Sequence, residues 1–155
     1  MIGMINDAEE RPAGGFAPLI PEFAVGNLAD SLHFWCDLLG FRIAYQRPED
    51  GFAYLERGGA QVMIEVSRGD WRTGDWQRPL GRGVNFQIFV DHLEPLLDAL
   101  ARAKWPLFRA PHEAWYRIGD REWGQRQFLV QDPDGYLLRF ALPLGRRPIS
   151  PGARL

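Results

Sequence analysis

The sequence predicts an α+β protein built from one motif used twice. Three observations carry this. Short strand-like runs far outnumber the two helical stripes. The order strand, helix, three strands is completed by residue 66 and starts again near residue 84, after a polar, Gly-rich connection at 67–82. The two halves also lie on each other: Ile20-Pro-Glu-Phe-Ala-Val25-Gly-Asn-Leu28 over Asn85-Phe-Gln-Ile-Phe-Val90-Asp-His-Leu93, and Val62-Met-Ile-Glu65-Val over Tyr136-Leu-Leu-Arg139-Phe.

In the first half, Pro18–Val25 reads as a strand. Leu28, Leu32, Trp35 and Leu39 stand at helical spacing, with Asn27 to cap the helix and Gly40 to end it. Phe41–Gln46, Phe52–Arg57 and Ala60–Val66 are strands separated by turn formers: Pro48, Asp50 and Gly51, then Gly58 and Gly59. In the second half, Val84–Val90 is a strand. Asp91 with Glu94 forms a capping box for a helix whose stripe is Leu93, Leu96, Leu97 and Leu100, and Trp105-Pro106 ends it. Trp105–Ala110, Ala114–Ile118, Gln125–Gln131 and Tyr136–Ala141 are strands. Residues 1–15 read as a disordered arm and 145–155 as a flexible tail. A single domain at 16–144 then holds modules over about 17–66 and 83–142.

Composition narrows the function classes. A chain of 155 residues, 46% hydrophobic and 25% charged, is that of a globular protein. A net charge of −2 gives no bulk attraction to nucleic acid, and no apolar run approaches a membrane span. The polar, acidic start lacks the pattern of a signal peptide, and Cys36 is the only cysteine, so a cytoplasmic location is the default expectation. His33, His92 and His112 share no ligand spacing, and His112 falls in a loop. Cys36 beside Trp35 and Leu38 reads as a structural thiol. Trp71, Trp76, Trp115 and Trp123 fall in connections or at their edges, where packing over the sheet and ligand contact are both open.

The words FWCDLLGF (Phe34–Phe41) and DPDGYLLRF (Asp132–Phe140), set in this repeat, resemble the vicinal oxygen chelate superfamily, which includes glyoxalase I, extradiol dioxygenases and bleomycin-resistance proteins. Pro21 in the first strand and IGDREWGQRQFLVQDPDG at Ile118–Gly135 are similar to the bleomycin-resistance branch. The resemblance implies two βαβββ modules forming a cupped mixed sheet, and a homodimer. It sets the metal ligands of the metal-using members at Ile20, Glu65, Asn85 and Arg139. Isoleucine cannot ligate, a guanidinium repels a metal and an amide is a weak ligand, so neither metal nor cofactor is expected.

Along the strands, Met63 and Glu65 share one face, as do Asn85, Gln87 and Phe89, and as do Leu137 and Arg139. These make a half-polar wall on which Arg139 is expected to turn toward Glu65, either as a structural ion pair or in contact with ligand. By resemblance, Tyr45, Phe52 and Trp123 match pocket aromatics. The expected function is non-catalytic binding and sequestration of an aromatic or planar small molecule, bleomycin-like, with no nucleic-acid or membrane partner. The alternatives are a metal-dependent glyoxalase-like lyase or isomerase, or a dioxygenase, and a subunit whose cup binds a partner protein.

Overall fold

The computed structural model describes residues 11–149 and 151. The chain divides into two compact units between Leu80 and Gly81, each with its own four-stranded sheet.

In the first unit, β1 (Glu22–Val25) lies parallel to β4 (Ala60–Val66). β3 (Phe52–Arg57) joins β4 to β2 (Arg42–Arg47) in antiparallel pairs. The order is β1-β4-β3-β2. β1 is shorter than the expected Pro18–Val25 because Pro18 and Pro21 have no N–H to give a ladder. Pro21 still accepts from the Met63 N–H at 2.9 Å just outside the strand. The expected helix at Leu28–Leu39 is α1 (Leu28–Leu32) running into a π-helical segment, His33–Leu38. Asn27 caps it as read from sequence, its Oδ1 accepting from the Asp30 N–H at 2.9 Å. Gly40 leaves it in the left-handed region at φ +73. The wider turn lets adjacent Phe34 and Trp35 both bury completely, which a regular 3.6-residue turn would splay apart. Phe23, Val25, Ile64 and Leu55 complete this core.

In the second unit, β5 (Asn85–Phe89) lies parallel to β8 (Leu137–Pro148). β7 (Arg121–Gln131) joins β8 to β6 (Arg109–Ile118), giving the order β5-β8-β7-β6. Of the expected strand Trp105–Ala110 only Arg109 and Ala110 are in β6, which runs on unbroken through Ala114–Ile118 with a register shift between Arg109 and His112. His112 is therefore on a strand, not in a loop, and Trp115 and Trp123 are strand residues as well. α2 (Glu94–Arg102) starts later than expected: Leu93 is its cap and no side chain caps it, so the Asp91 capping box does not form. It ends at Arg102 with Ala103 as its C-cap, and Lys104 turns left-handed at φ +53 just before Trp105. Leu93, Leu96 and Leu100 of its stripe are buried, and Phe128 and Phe140 stack at 5.4 Å.

Both expected loose ends are corrected where they are described. Gly145–Pro148 belongs to β8, because Arg146 and Arg147 pair with Trp123 and Glu122 of β7 and the Arg147 Nε donates to Glu122 at 2.7 Å. Of the arm, residues 1–10 lie outside the described residues, while the Ala13 N–H donates to the Glu56 carboxylate at 3.0 Å. Gln61 also holds it, accepting from the Ala17 N–H at 2.8 Å and donating to the Gly15 carbonyl at 2.7 Å.

Candidate functional site

A period of two sorts each sheet into a packed face and an open face. On β4, Val62 and Ile64 are buried while Met63 and Glu65 are half-exposed. On β5, Ile88 is buried while Asn85, Gln87 and Phe89 are exposed. On β8, Leu138 and Phe140 are buried while Leu137 and Arg139 are half-exposed. The face assignments read from sequence therefore stand.

The open face of the first unit is aromatic with an acidic edge. Tyr45 stacks on Tyr54 at 5.0 Å and lies 5.9 Å from Phe52; Phe16 meets both tyrosines edge-on, at 6.4 and 5.6 Å. Phe52 is buried with Ala44 and Tyr54, Met63 packs on that cluster, and the Arg47 guanidinium sits 3.9 Å over the Phe52 ring. Glu65 accepts from the Trp71 Nε1–H at 3.4 Å and meets Glu22. Although Glu22 is exposed by area, partial burial of its carboxyl, a hydrogen bond with Glu65 and the Glu65 charge together push it from 4.5 up to about 7, with Arg47 opposing. The hollow beside Glu65 and Trp71 is only about 10 Å³, room for one water.

A ligand-sized cavity opens in the second unit, about 450 Å³, lined by residues of all four strands. Its register is set by the Asp132–Gly135 turn. The Asp132 Oδ1 accepts from the N–H groups of Asp134 and Tyr136 at 3.0 and 2.9 Å, which brings Leu129 opposite Arg139. The apolar wall is Phe89, Tyr116, Ile118 and Trp123, each 42% exposed or more. The Arg146 guanidinium lies 5.2 Å from the Trp123 ring centroid. Polar groups come from Gln87, Gln125 and Arg139.

Those groups belong to one network. The Gln125 Nε2 reaches the Gln87 Oε1 at 3.0 Å and the Gln127 Oε1 at 2.6 Å. The Gln127 Nε2 reaches the His112 Nε2 and the Tyr116 hydroxyl, both at 3.0 Å. Arg139 comes within 3.5 Å of the same hydroxyl through Nη1, while its buried Nε has no hydrogen-bond partner.

Of the sequence-derived candidates, the cavity takes Gln87, Trp123 and Arg139, and Asn85 stands on the same open face of β5. Tyr45, Phe52, Met63 and Glu65 gather on the first unit's open face. Tyr116, Gln125 and Gln127 were not singled out from sequence, and His112 was read as a loop histidine. The alternation of Gln125 and Gln127 in the strand expected at Gln125–Gln131, in phase with Trp123 just before it, was the signal that could have found the two glutamines.

The four metal positions carried over by resemblance do not fit a metal. Glu65 alone brings an anionic donor, and its neighbour is another carboxyl rather than a histidine. Among the described residues, no three His, Cys, Asp or Glu gather to hold an ion. Burial pushes the Cys36 thiol up to about 11, with Asp37 adding to the shift, so no thiolate is available at neutral pH.

Two four-stranded sheets, each a βαβββ module with one open face, define the class, and comparison with known proteins agrees. The profile of the Glyoxalase/Bleomycin resistance protein/Dioxygenase superfamily matches residues 19–140, and the chain belongs to that superfamily. The bleomycin resistance protein of Geobacillus stearothermophilus is 30% identical over 131 residues, covering 78% of this chain and 92% of the relative. Two solved structures share the fold. The glyoxalase/bleomycin resistance protein/dioxygenase of Alicyclobacillus acidocaldarius has a TM-score of 0.60 at 17% identity, covering 81% of this chain and 90% of that one. Lactoylglutathione lyase of Agrobacterium tumefaciens has a TM-score of 0.54 at 15% identity, covering 81% and 92%. No helix among the described residues is long and apolar enough to cross a membrane.

Proposed function

We propose that this chain binds and sequesters a planar or aromatic small molecule without transforming it, as a cytoplasmic homodimer. The observation that carries this reading is the roughly 450 Å³ cavity of the second unit, with Trp123 and Tyr116 as aromatic walls over a hydrogen-bonded polar floor. Volumes of this order hold drug-sized ligands. The bleomycin resistance relatives support the same reading, and among the described residues no trio of His, Cys, Asp or Glu gathers to hold a metal ion. In the second unit, Asn85, Gln87, Trp123 and Arg139 are assigned to the ligand. Tyr45, Phe52, Met63 and Glu65 remain candidates on the first unit's open face.

Titration of tryptophan fluorescence with a small-molecule panel that includes bleomycin tests it. A saturable change is expected, and Trp123→Ala should weaken the bound compound about tenfold while thermal unfolding stays in place. Unchanged affinity in that variant removes the assignment of the wall.

The enzyme reading keeps one observation: Glu22, held near 7 beside Glu65, is a carboxyl suited to proton transfer near neutral pH. Elemental analysis of protein purified without an affinity tag separates the two. Near-stoichiometric zinc, nickel, iron or manganese favours the enzyme, and none is expected.

A further inference from the structure

We infer that the compound held in the second unit's cavity is an aromatic anion, with a carboxylate or similar oxyanion seated on Arg139. This rests on the reading of that cavity as a small-molecule site and fixes the chemistry of its occupant.

The argument starts from a proton. The His112 Nδ1 lies 2.9 Å from the Ala110 carbonyl oxygen, which can only accept. The Nδ1 therefore carries a hydrogen, and in the neutral ring the Nε2 accepts. Its partner, the Gln127 Nε2, must then donate, and the second hydrogen of that amide goes to the Tyr116 hydroxyl oxygen. This leaves the Gln127 Oε1 as acceptor for Gln125, whose amide spends its other hydrogen on the Gln87 Oε1. One carbonyl thus sets the hydrogen-bond direction through five side chains.

At the end of the chain, the Gln87 amide hydrogens have no partner among the described residues. The Tyr116 oxygen, already accepting, has its own hydrogen to give. Arg139 can only donate, and its Nε is buried and unpartnered. These groups offer the cavity donors from three side chains, against one free acceptor among the network amides, the Gln125 Oε1, so the complement is rich in acceptors.

Charge points the same way by a separate route. The register places Arg121, Arg139 and Arg146 on the open face of this sheet, and none is in an ion pair among the described residues. Both acidic residues of its strands, Glu113 and Glu122, lie on the opposite face across from Arg126 and Arg147. A planar guanidinium matches a carboxylate through two parallel hydrogen bonds, and the aromatic wall takes the rest of the ligand. A cationic compound would meet Arg139 in the cavity lining, with Arg121 and Arg146 on the same face of the sheet and no strand carboxylate beside them.

The test uses three probes of one shape: 2-naphthoate, 2-naphthamide and 2-naphthylmethylammonium, titrated by tryptophan fluorescence at fixed ionic strength. Naphthoate should bind about tenfold or more tighter than the amide, and the ammonium weakest. Arg139→Gln should bring naphthoate down to the level of the amide, and Arg139→Lys should restore part of the difference. Because loss of a half-buried guanidinium can disturb the fold, Gln87→Glu is the second variant. It replaces exposed donors by an acceptor and should weaken naphthoate several-fold with little effect on the amide. Equal affinities for acid and amide, or tighter ammonium binding, overturn the anion while leaving a small-molecule site. No saturable binding of any probe at millimolar concentration overturns both.

Discussion

Arg139 shows how one residue type can redirect an inherited position. A permanent cation on an apolar strand is costly unless something meets it. Here its ladder neighbours are Gln87 and Leu129, its Nη1 nears Tyr116, and its buried Nε has no hydrogen-bond partner. The sequence was enough to place it on an open face but not to find this company, because alternation tells which face a side chain takes and not which neighbours it meets. Glu22 is the other residue with a testable charge. It ionises near 4.5 in the unfolded chain and near 7 in the fold, so between these values the fold holds a proton that the unfolded chain has released. This contribution to stability is full below about 4.5 and is lost as pH rises through about 7. Urea midpoints measured from pH 4.5 to 7.5 should therefore fall more steeply for the wild type than for Glu22→Gln, which has nothing to ionise. Parallel profiles would remove the shared proton between Glu22 and Glu65.

Among the elements, β3 at Phe52–Arg57 and β4 at Ala60–Val66 match the expected ranges, because turns built on glycine and proline bracket both runs. The errors fall where tertiary contacts override a local signal. Leu93 takes the cap that the Asp91–Glu94 spacing seemed to reserve, and a π segment replaces the last turns of the first helix so that Phe34 and Trp35 bury together. β8 runs on to Pro148 through a sequence that read as tail, since cross-strand pairs between distant residues leave no periodic trace. One such pair can be probed at Gly124, which faces Trp115 across β6 and β7. A Cβ at Gly124 would stand 2.5 Å from the Trp115 ring, and the Arg147 guanidinium sits 3.9 Å over that ring while bonded to Glu122. The indole cannot yield without disturbing that ion pair. Gly124→Ala should cost about 1–3 kcal/mol in chemical denaturation, the usual penalty of overpacking. Since Trp123 and Gln125 flank the site, it should also weaken ligand binding. A loss below about 0.5 kcal/mol would mean that the ring has room to move.

Taken whole, the chain is nearly neutral because its units lean in opposite directions: Glu22 and Glu65 on the open face of the first, and Arg121, Arg139 and Arg146 on that of the second. The apolar surface is also uneven. Phe89, Phe108 and Ile118 of the second unit are 59%, 55% and 58% exposed, and Leu19 and Trp71 of the first are 83% and 68% exposed. Single exposed apolar residues are ordinary, but this many large ones on a chain of 155 residues are what a partner surface or a ligand site displays. The cavity accounts for Phe89 and Ile118. It does not account for Phe108, Leu19 or Trp71. If a second copy of the chain covers them, a closed two-fold pair hides each of these residues on both partners. Light scattering at micromolar concentration should therefore give twice the 17.7 kDa chain mass, with dissociation only on strong dilution. If the apolar residues drive the pairing, the dimer should persist in high salt, whereas a pair held by the opposed charges of the two units would come apart as salt screens them. A single 17.7 kDa species at every concentration would leave these residues as ordinary surface and the chain as a monomeric binder.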